Sequence, residues 1–302
     1  MVHYPFIEID LQNEDNPQTQ QVLLVGFNKT VLEVGAATGY VTKELKKRGC
    51  RVTCIESDHK MALIAKRFCE EIIVEDVEEI DLGEVLGRKK FDVVLLGSIL
   101  EHLREPEKVL KKLIKLLKPS GYVVATIPNI AHGSVRLSLL TGKFEYRSNG
   151  LLDRTHLRFF TRESMERMFR NVGLDIVEIR ELKLDIFSAP NIKLKQDFPE
   201  VLVYSIRQDP EATVYEFVVK AKLLQGKTPS IIRKPKINPI DVLSEKILRG
   251  KAMEYELEKK ESKITSLLQE NMKLKNEINL IKSSLTWRAL KKFSYLVDKL
   301  LP

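Results

Sequence analysis

The chain has 302 residues, 43% of them hydrophobic, and a formal charge of +8; at ~100–200 residues per domain this leaves room for one large core and a smaller second part. The charge is unevenly placed, since residues 226–302 carry 17 Lys and Arg against 9 Asp and Glu whereas residues 1–225 carry 33 of each. A neutral body has no phosphate track for nucleic acid, so no nucleic-acid partner is expected and the search for an anionic partner moves to the tail.

Residues 1–29 read as a helical lead-in. They lack the basic and apolar regions of a secretion signal, and Cys50, Cys54 and Cys69 show no metal-like spacing. No apolar run reaches the ~18–20 residues of a spanning helix, so the expected location is cytoplasmic. From Thr30 short apolar runs alternate with amphipathic stretches, the pattern of βαβ units. VLEVG (31–35) reads as a strand, 39–48 as a helix and RVTCIE (51–56) as a second strand. A helix over 58–69 with Asp58 as its N-cap follows, then the strands EIIVED (71–76) and FDVVLLGS (91–98). Pro106 opens a helix to 118 that Pro119-Ser120-Gly121 ends, and YVVATIP (122–128) is a fifth strand. Residues 129–160 read as an irregular insertion on the substrate side of a domain spanning 30–224. Thr161 caps a helix to Asn171, and DIVEIRE and VYEFVVKAKL supply two last strands. The expected fold is α/β, a doubly wound and mostly parallel seven-stranded sheet.

A Pro-rich basic linker occupies 225–239. Over 240–285 the period becomes seven: Leu257, Ile264, Asn271, Ile278 and Leu285 fall at a, and Lys260, Leu267, Leu274 and Ile281 at d. Ile at a, Leu at d and one Asn at a favour a parallel two-stranded coil, so a parallel homodimer through 257–285 is expected; the alternative is a helix folded back on the body. Residues 286–302 read as a basic amphipathic helix with Trp287 and Tyr295, suited equally to an anionic membrane surface or to another protein helix.

EVGAATGY (33–40) lacks the third glycine of a dinucleotide fingerprint, where Tyr40 stands, and lacks the Gly-Lys-Ser/Thr of a phosphate loop. What remains is E-x-G-x-(G/A)-x-G at the end of a first strand, with Glu56 closing the second, where a carboxylate can accept both hydroxyls of a ribose. VLEVGAATGYVTKELKKRGCRVTCIESD, with VEDVEEI, FDVVLLGSILEHLREPEKVLKKLIKLLKPSGYVVATIPN and HLRFFTRESMERMFRNVGL, resembles the class I S-adenosylmethionine-dependent methyltransferases over about 30–220. The resemblance implies S-adenosyl-L-methionine as cofactor, with Glu33, Gly35, Ala37 and Gly39 along its methionine part and Glu56 on its ribose. Asp76 and Val77 would flank the adenine, and Ser98 to His102 would close the site. Ala37 stands where many relatives have glycine.

A base that takes the acceptor's proton belongs in loops at the strands' carboxyl ends. His156 comes first, then His132, with Asp153 alongside; His102 is placed beside the cofactor as a structural residue. No His, Asp and Glu triplet has metal-site spacing, so no metal is assigned. IPNIAHGSVRLSLLTGKFEYRSNGLLDRTHLRFFT and Ser284-Leu285-Thr286-Trp287-Arg288 further resemble methyltransferases associated with glycosyltransferases in surface-polysaccharide assembly. That implies a sugar hydroxyl on a glycan, or on its lipid-linked precursor, as acceptor. A small-molecule, quinone-type methyltransferase and a non-catalytic scaffold of the same fold are the alternatives.

Overall fold

The structure, a computed structural model, describes residues 8–190, 192, 194, 198–224 and 239–300. The expected linker at 225–238 lies outside them. The chain divides into two compact units, 1–239 and 240–302.

In the first unit seven strands make one sheet: β1 (Thr30–Val34), β2 (Arg51–Ile55), β3 (Glu71–Ile73), β4 (Phe91–Gly97), β5 (Leu117–Pro128), β6 (Leu174–Lys183) and β7 (Val214–Leu223). Their order is 3-2-1-4-5-7-6, and every pairing is parallel except those of β7, which lies antiparallel between β5 and β6. The parallel strands are apolar on both sides because both sides are covered. Val93 and Leu95 enter a core with Val22 and Val25 of α1 (Pro17–Val25) and Val41 and Leu45 of α2 (Tyr40–Lys47). Their neighbours Val94 and Leu96 enter the opposite core, with α4 (Leu82–Leu86), α5 (Pro106–Leu113) and α7 (Arg162–Asn171). Between α2 and α4, α3 (His59–Ala65) starts at Asp58, whose carboxylate accepts from the N–H groups of Lys60 and Met61. The parallel strands' carboxyl ends therefore meet along one edge, where an open α/β sheet holds its ligands.

Several expected boundaries move. β3 stops at Ile73, and α5 ends at Leu113, followed by a short 3₁₀ turn. β5 begins already at Leu117, and a register shift opposite Phe91 and Val93 absorbs Pro119-Ser120-Gly121. The segment 129–160 is not wholly irregular, because it contains α6 (Gly133–Leu140), whose first residues, Gly and Ser, hide it from propensity. Between the last two strands lies α8 (Glu200–Arg207), disguised by the β-branched run in EVLVYSIR.

The second unit is α9 (Pro239–Ser283) and α10 (Leu285–Leu300). The break falls at Ser284, whose hydroxyl accepts the Trp287 N–H at 3.2 Å as an N-cap. The 45 residues of α9 span ~68 Å at ~1.5 Å per residue. Leu257, Ile264, Leu267, Leu274, Ile278 and Ile281 all lie exposed along it. Among the described residues no helix is long and apolar enough to cross a membrane.

Candidate active site

The turn after β1 is built from left-handed backbone. Gly35 and Gly39 have φ of +76°, and between them Ala37 has φ of +49°, a conformation that costs an L-residue roughly 1–2 kcal/mol. It is held by Glu56: the Ala37 N–H donates to Oε2 at 2.7 Å and the Asp58 N–H to Oε1 at 2.9 Å. Such charge-assisted bonds offset the strain. Each carboxylate oxygen keeps a second lone pair, so Glu56 can still accept from a ribose.

The two glycines serve packing. A Cβ on Gly39 would lie 2.9 Å from Ala65 Cα and 3.0 Å from Phe68 Cδ2, so its bare backbone lets α2 start against α3. A Cβ on Gly35 would reach 3.0 Å from the tip of Ile99, past the end of β4. Glu33 is buried and accepts from the Thr42 hydroxyl at 2.6 Å, tying β1 to α2. Burial pushes its carboxyl up to about 8.

Asp76 is exposed and accepts the Glu78 N–H at 2.8 Å, while its neighbour Val77 is buried in the core. Ser98, at the end of β4, has φ of +52°. Of the three non-glycine residues with positive φ among the described residues, Ala37 and Ser98 both follow the adjacent strands β1 and β4; strain concentrated there is where functional sites hold it.

The expected acceptor residues separate. His132 is fully buried: Nδ1 is 2.8 Å from the Ser134 hydroxyl and Nε2 3.1 Å from the Leu184 carbonyl. Both nitrogens are engaged in holding α6, and burial keeps the ring's pKa below the usual imidazole value. This removes His132 as a base. Asp153 accepts from the N–H and hydroxyl of Thr155 at 2.8 and 2.7 Å, so its carboxylate shapes the turn that carries His156.

His156 and His102 instead come together, with ring centroids 4.8 Å apart and edge-on. The Glu101 carbonyl accepts the N–H groups of both Leu157 and Arg158, at 2.8 and 2.9 Å, and so clamps DRTHLRFF onto the turn after β4. Two residues escaped the sequence reading. Glu101 is buried with neither carboxylate oxygen hydrogen-bonded, and Glu216 lies opposite Pro128 in the β5–β7 register. Burial raises Glu101 to about 8, helped by the negative charges of Glu216 and Asp153, and raises Glu216 to about 7. The signal for Glu216 was a lone acid in the apolar half of VYEFVVKAKL; Glu101 sat unremarked inside SILEH.

A family model described as a methyltransferase domain matches residues 20–179, more than half of the chain, and the chain belongs to that family. The ubiquinone biosynthesis O-methyltransferase of Cupriavidus pinatubonensis is 25% identical over 155 residues, covering 50% of this chain and 62% of the relative. That of Coxiella burnetii strain RSA 331 is 27% identical over 164 residues, covering 53% of this chain and 68% of the relative. The chain thus spans less than two thirds of the first relative's length. A solved structure of a candidate methyltransferase from Bacillus halodurans matches with a TM-score of 0.50 at 15% identity, covering 69% of this chain and 99% of that one, and shares the fold.

The chain carries a class I methyltransferase domain, whose cofactor is S-adenosylmethionine. The strained turn, Glu56 with spare lone pairs and the lack of Gly-Lys-Ser/Thr in the turn after β1 fit an adenosyl group without a phosphate chain. When bound, the cofactor supplies an electrophilic methyl group. The protein's share is to orient the acceptor, worth ~7–11 kcal/mol, and to deal with the proton the acceptor loses.

Proposed function

We propose that this methyltransferase acts on a hydroxyl group, with the acceptor oxygen received at Glu101, His102 and His156. The observation that carries the reading is the pair of histidines brought to the acceptor edge with each Nδ1 facing a backbone carbonyl, His102 to Thr155 at 3.1 Å and His156 to Leu151 at 3.4 Å. A carbonyl only accepts, so each Nδ1 bears the hydrogen and each Nε2 keeps a lone pair for an acceptor. Glu56 takes the ribose, the Gly35–Gly39 turn borders the methionine part, and Asp76 with Val77 borders the adenine.

The acceptor we favour is a sugar hydroxyl of a surface glycan or its lipid-linked precursor, on the resemblance of 127–161 and of Ser284–Arg288. A groove of about 530 Å³, whose lining includes Phe159, the ring neighbour of His156, supports a phosphate-bearing precursor, being lined also by Arg104, Lys108, Lys111, Arg158 and Arg167 against Glu105 and Glu107. The second reading, a quinone-type phenol, draws on the names of the curated relatives. Incubation with radiolabelled cofactor and either a lipid-linked sugar or a catechol-type phenol tests the choice: methyl transfer to the phenol alone overturns the glycan reading. Absence of calorimetric cofactor binding would leave the third possibility, a scaffold.

The exposed apolar seam of α9 supports a parallel homodimer through 257–285, because an isolated helix of this kind draws most of its stability from burying such a face. We assign 286–302 to an anionic membrane face or a glycosyltransferase helix. Deleting 226–302 should leave the catalytic body monomeric and active on a soluble acceptor; a truncated protein that remains dimeric contradicts the seam assignment.

A further inference from the structure

The cluster that receives the acceptor has the donor set and protonation pattern of a metal centre. Glu101, His102 and His156 each present one ligand atom, and these atoms all lie within 4.8 Å of one another. No hydrogen bond joins them: both Glu101 oxygens are buried without a partner, and the only polar contacts of the two rings are those of Nδ1 with the Thr155 and Leu151 carbonyls. Three ligand atoms sharing an ion at ~2.0–2.2 Å sit roughly 3–4 Å apart, which a small rotation of these side chains reaches from the spacing seen, within 4.8 Å. A metal-binding histidine typically donates its other ring N–H to a carbonyl or carboxylate, which fixes the tautomer and aims the free nitrogen at the ion. Both histidines already hold that arrangement.

Burial points the same way. A carboxyl buried without a hydrogen-bond partner is costly, and an ion held by its oxygens supplies that partner.

We propose that Glu101, His102 and His156 bind one divalent transition-metal ion, whose open positions take the acceptor's hydroxyl oxygen. Two imidazole nitrogens with one carboxylate suit Zn²⁺, Mn²⁺ or Fe²⁺; Mg²⁺ prefers an all-oxygen shell and binds more weakly here. The ion orients the acceptor and makes its hydroxyl more acidic. The metal site stands on the side chains themselves, and only its role toward the acceptor rests on the O-methyltransferase reading above.

The test is calorimetry of the full-length, chelator-treated protein against ZnCl₂, MnCl₂ and MgCl₂, without cofactor or acceptor. One Zn²⁺ per chain is expected, with affinity at least 10-fold above that for Mg²⁺. Glu101→Gln, His102→Gln and His156→Gln should each weaken Zn²⁺ binding 10-fold or more, while His59→Ala, at an exposed position, should not. Co²⁺ added to the wild-type protein should give visible absorption bands that His156→Gln abolishes, a readout that does not depend on the stability of any one variant. Saturation by none of the metals at 1 mM, or Zn²⁺ binding that the three variants leave unchanged, overturns the site. Zn²⁺ binding without methylation of any hydroxyl overturns the acceptor reading and leaves the site standing; methylation unaffected by chelation, with no metal bound, does the reverse.

Discussion

The two halves of the sheet's carboxyl edge solve opposite problems. After β1 and β2, polar groups are matched within the protein: Glu56 holds two backbone N–H groups, Glu33 holds Thr42, and Asp76 holds Glu78. After β4 and in 151–158, Glu101 has no partner and two imidazoles keep a nitrogen open. The first half is settled in its side chains, as suits the proposed pocket for one invariable cofactor. The second is open in its side chains, which is what the proposed acceptor site requires, and each half carries one left-handed non-glycine residue, Ala37 and Ser98.

Removing an open side chain should therefore damage turnover, and removing a matched one should damage folding or cofactor binding. The largest effect is expected at His156→Ala, which should lower turnover ~10²–10⁴-fold with cofactor affinity unchanged by calorimetry. His132→Ala should instead lose ~1–3 kcal/mol in denaturant unfolding and keep its turnover per folded molecule, because its nitrogens serve α6. If the two variants behave alike, the division fails. Gly39→Ala brings a Cβ against the α3 backbone at positive φ, and unfolding should show a loss of ~2–4 kcal/mol.

Glu56→Gln keeps the shape and loses the charge, weakening hydrogen bonds worth ~1.5–3 kcal/mol; cofactor affinity measured by calorimetry should fall 10-fold or more. Glu33 sharpens the comparison through pH. Its folded carboxyl sits at about 8 and its reference value is 4.5, so the native state binds the extra proton between these values. Stability from this group is complete below about 4.5 and is lost as the pH rises through 8. Glu33→Gln should flatten that part of the unfolding profile. The smallest effect belongs to Ala37→Gly, which relieves the left-handed alanine and should stabilise the protein by up to ~1 kcal/mol.

The first four parallel strands were legible because each is an apolar run ended by a glycine or an acid, and Asp58 and Thr161 announce the helices they cap. α6 and α8 were not, since Gly133 and the β-branched EVLVYSIR argue locally against helices that tertiary burial imposes. The left-handed turn after β1 could be read from sequence because its residues are neighbours along the chain. The proposed acceptor cluster joins Glu101 and His102 to a histidine more than fifty positions away, and spacing carries no trace of that contact. His132 and His156 look equivalent as letters; only the Leu184 carbonyl and Ser134 hydroxyl distinguish them.

The two hydrogen bonds that the Glu101 carbonyl accepts from the N–H groups of Leu157 and Arg158 tie the two segments of the proposed acceptor site together. Arg158 adds a further link to the Arg104 carbonyl at 3.1 Å, and His102 another to Thr155. Residues 98–104 and 150–160 are consequently held to each other from both sides. A change of acceptor specificity, by evolution or by grafting, has to carry both pieces together, because either alone would arrive with half of its anchoring carbonyls missing.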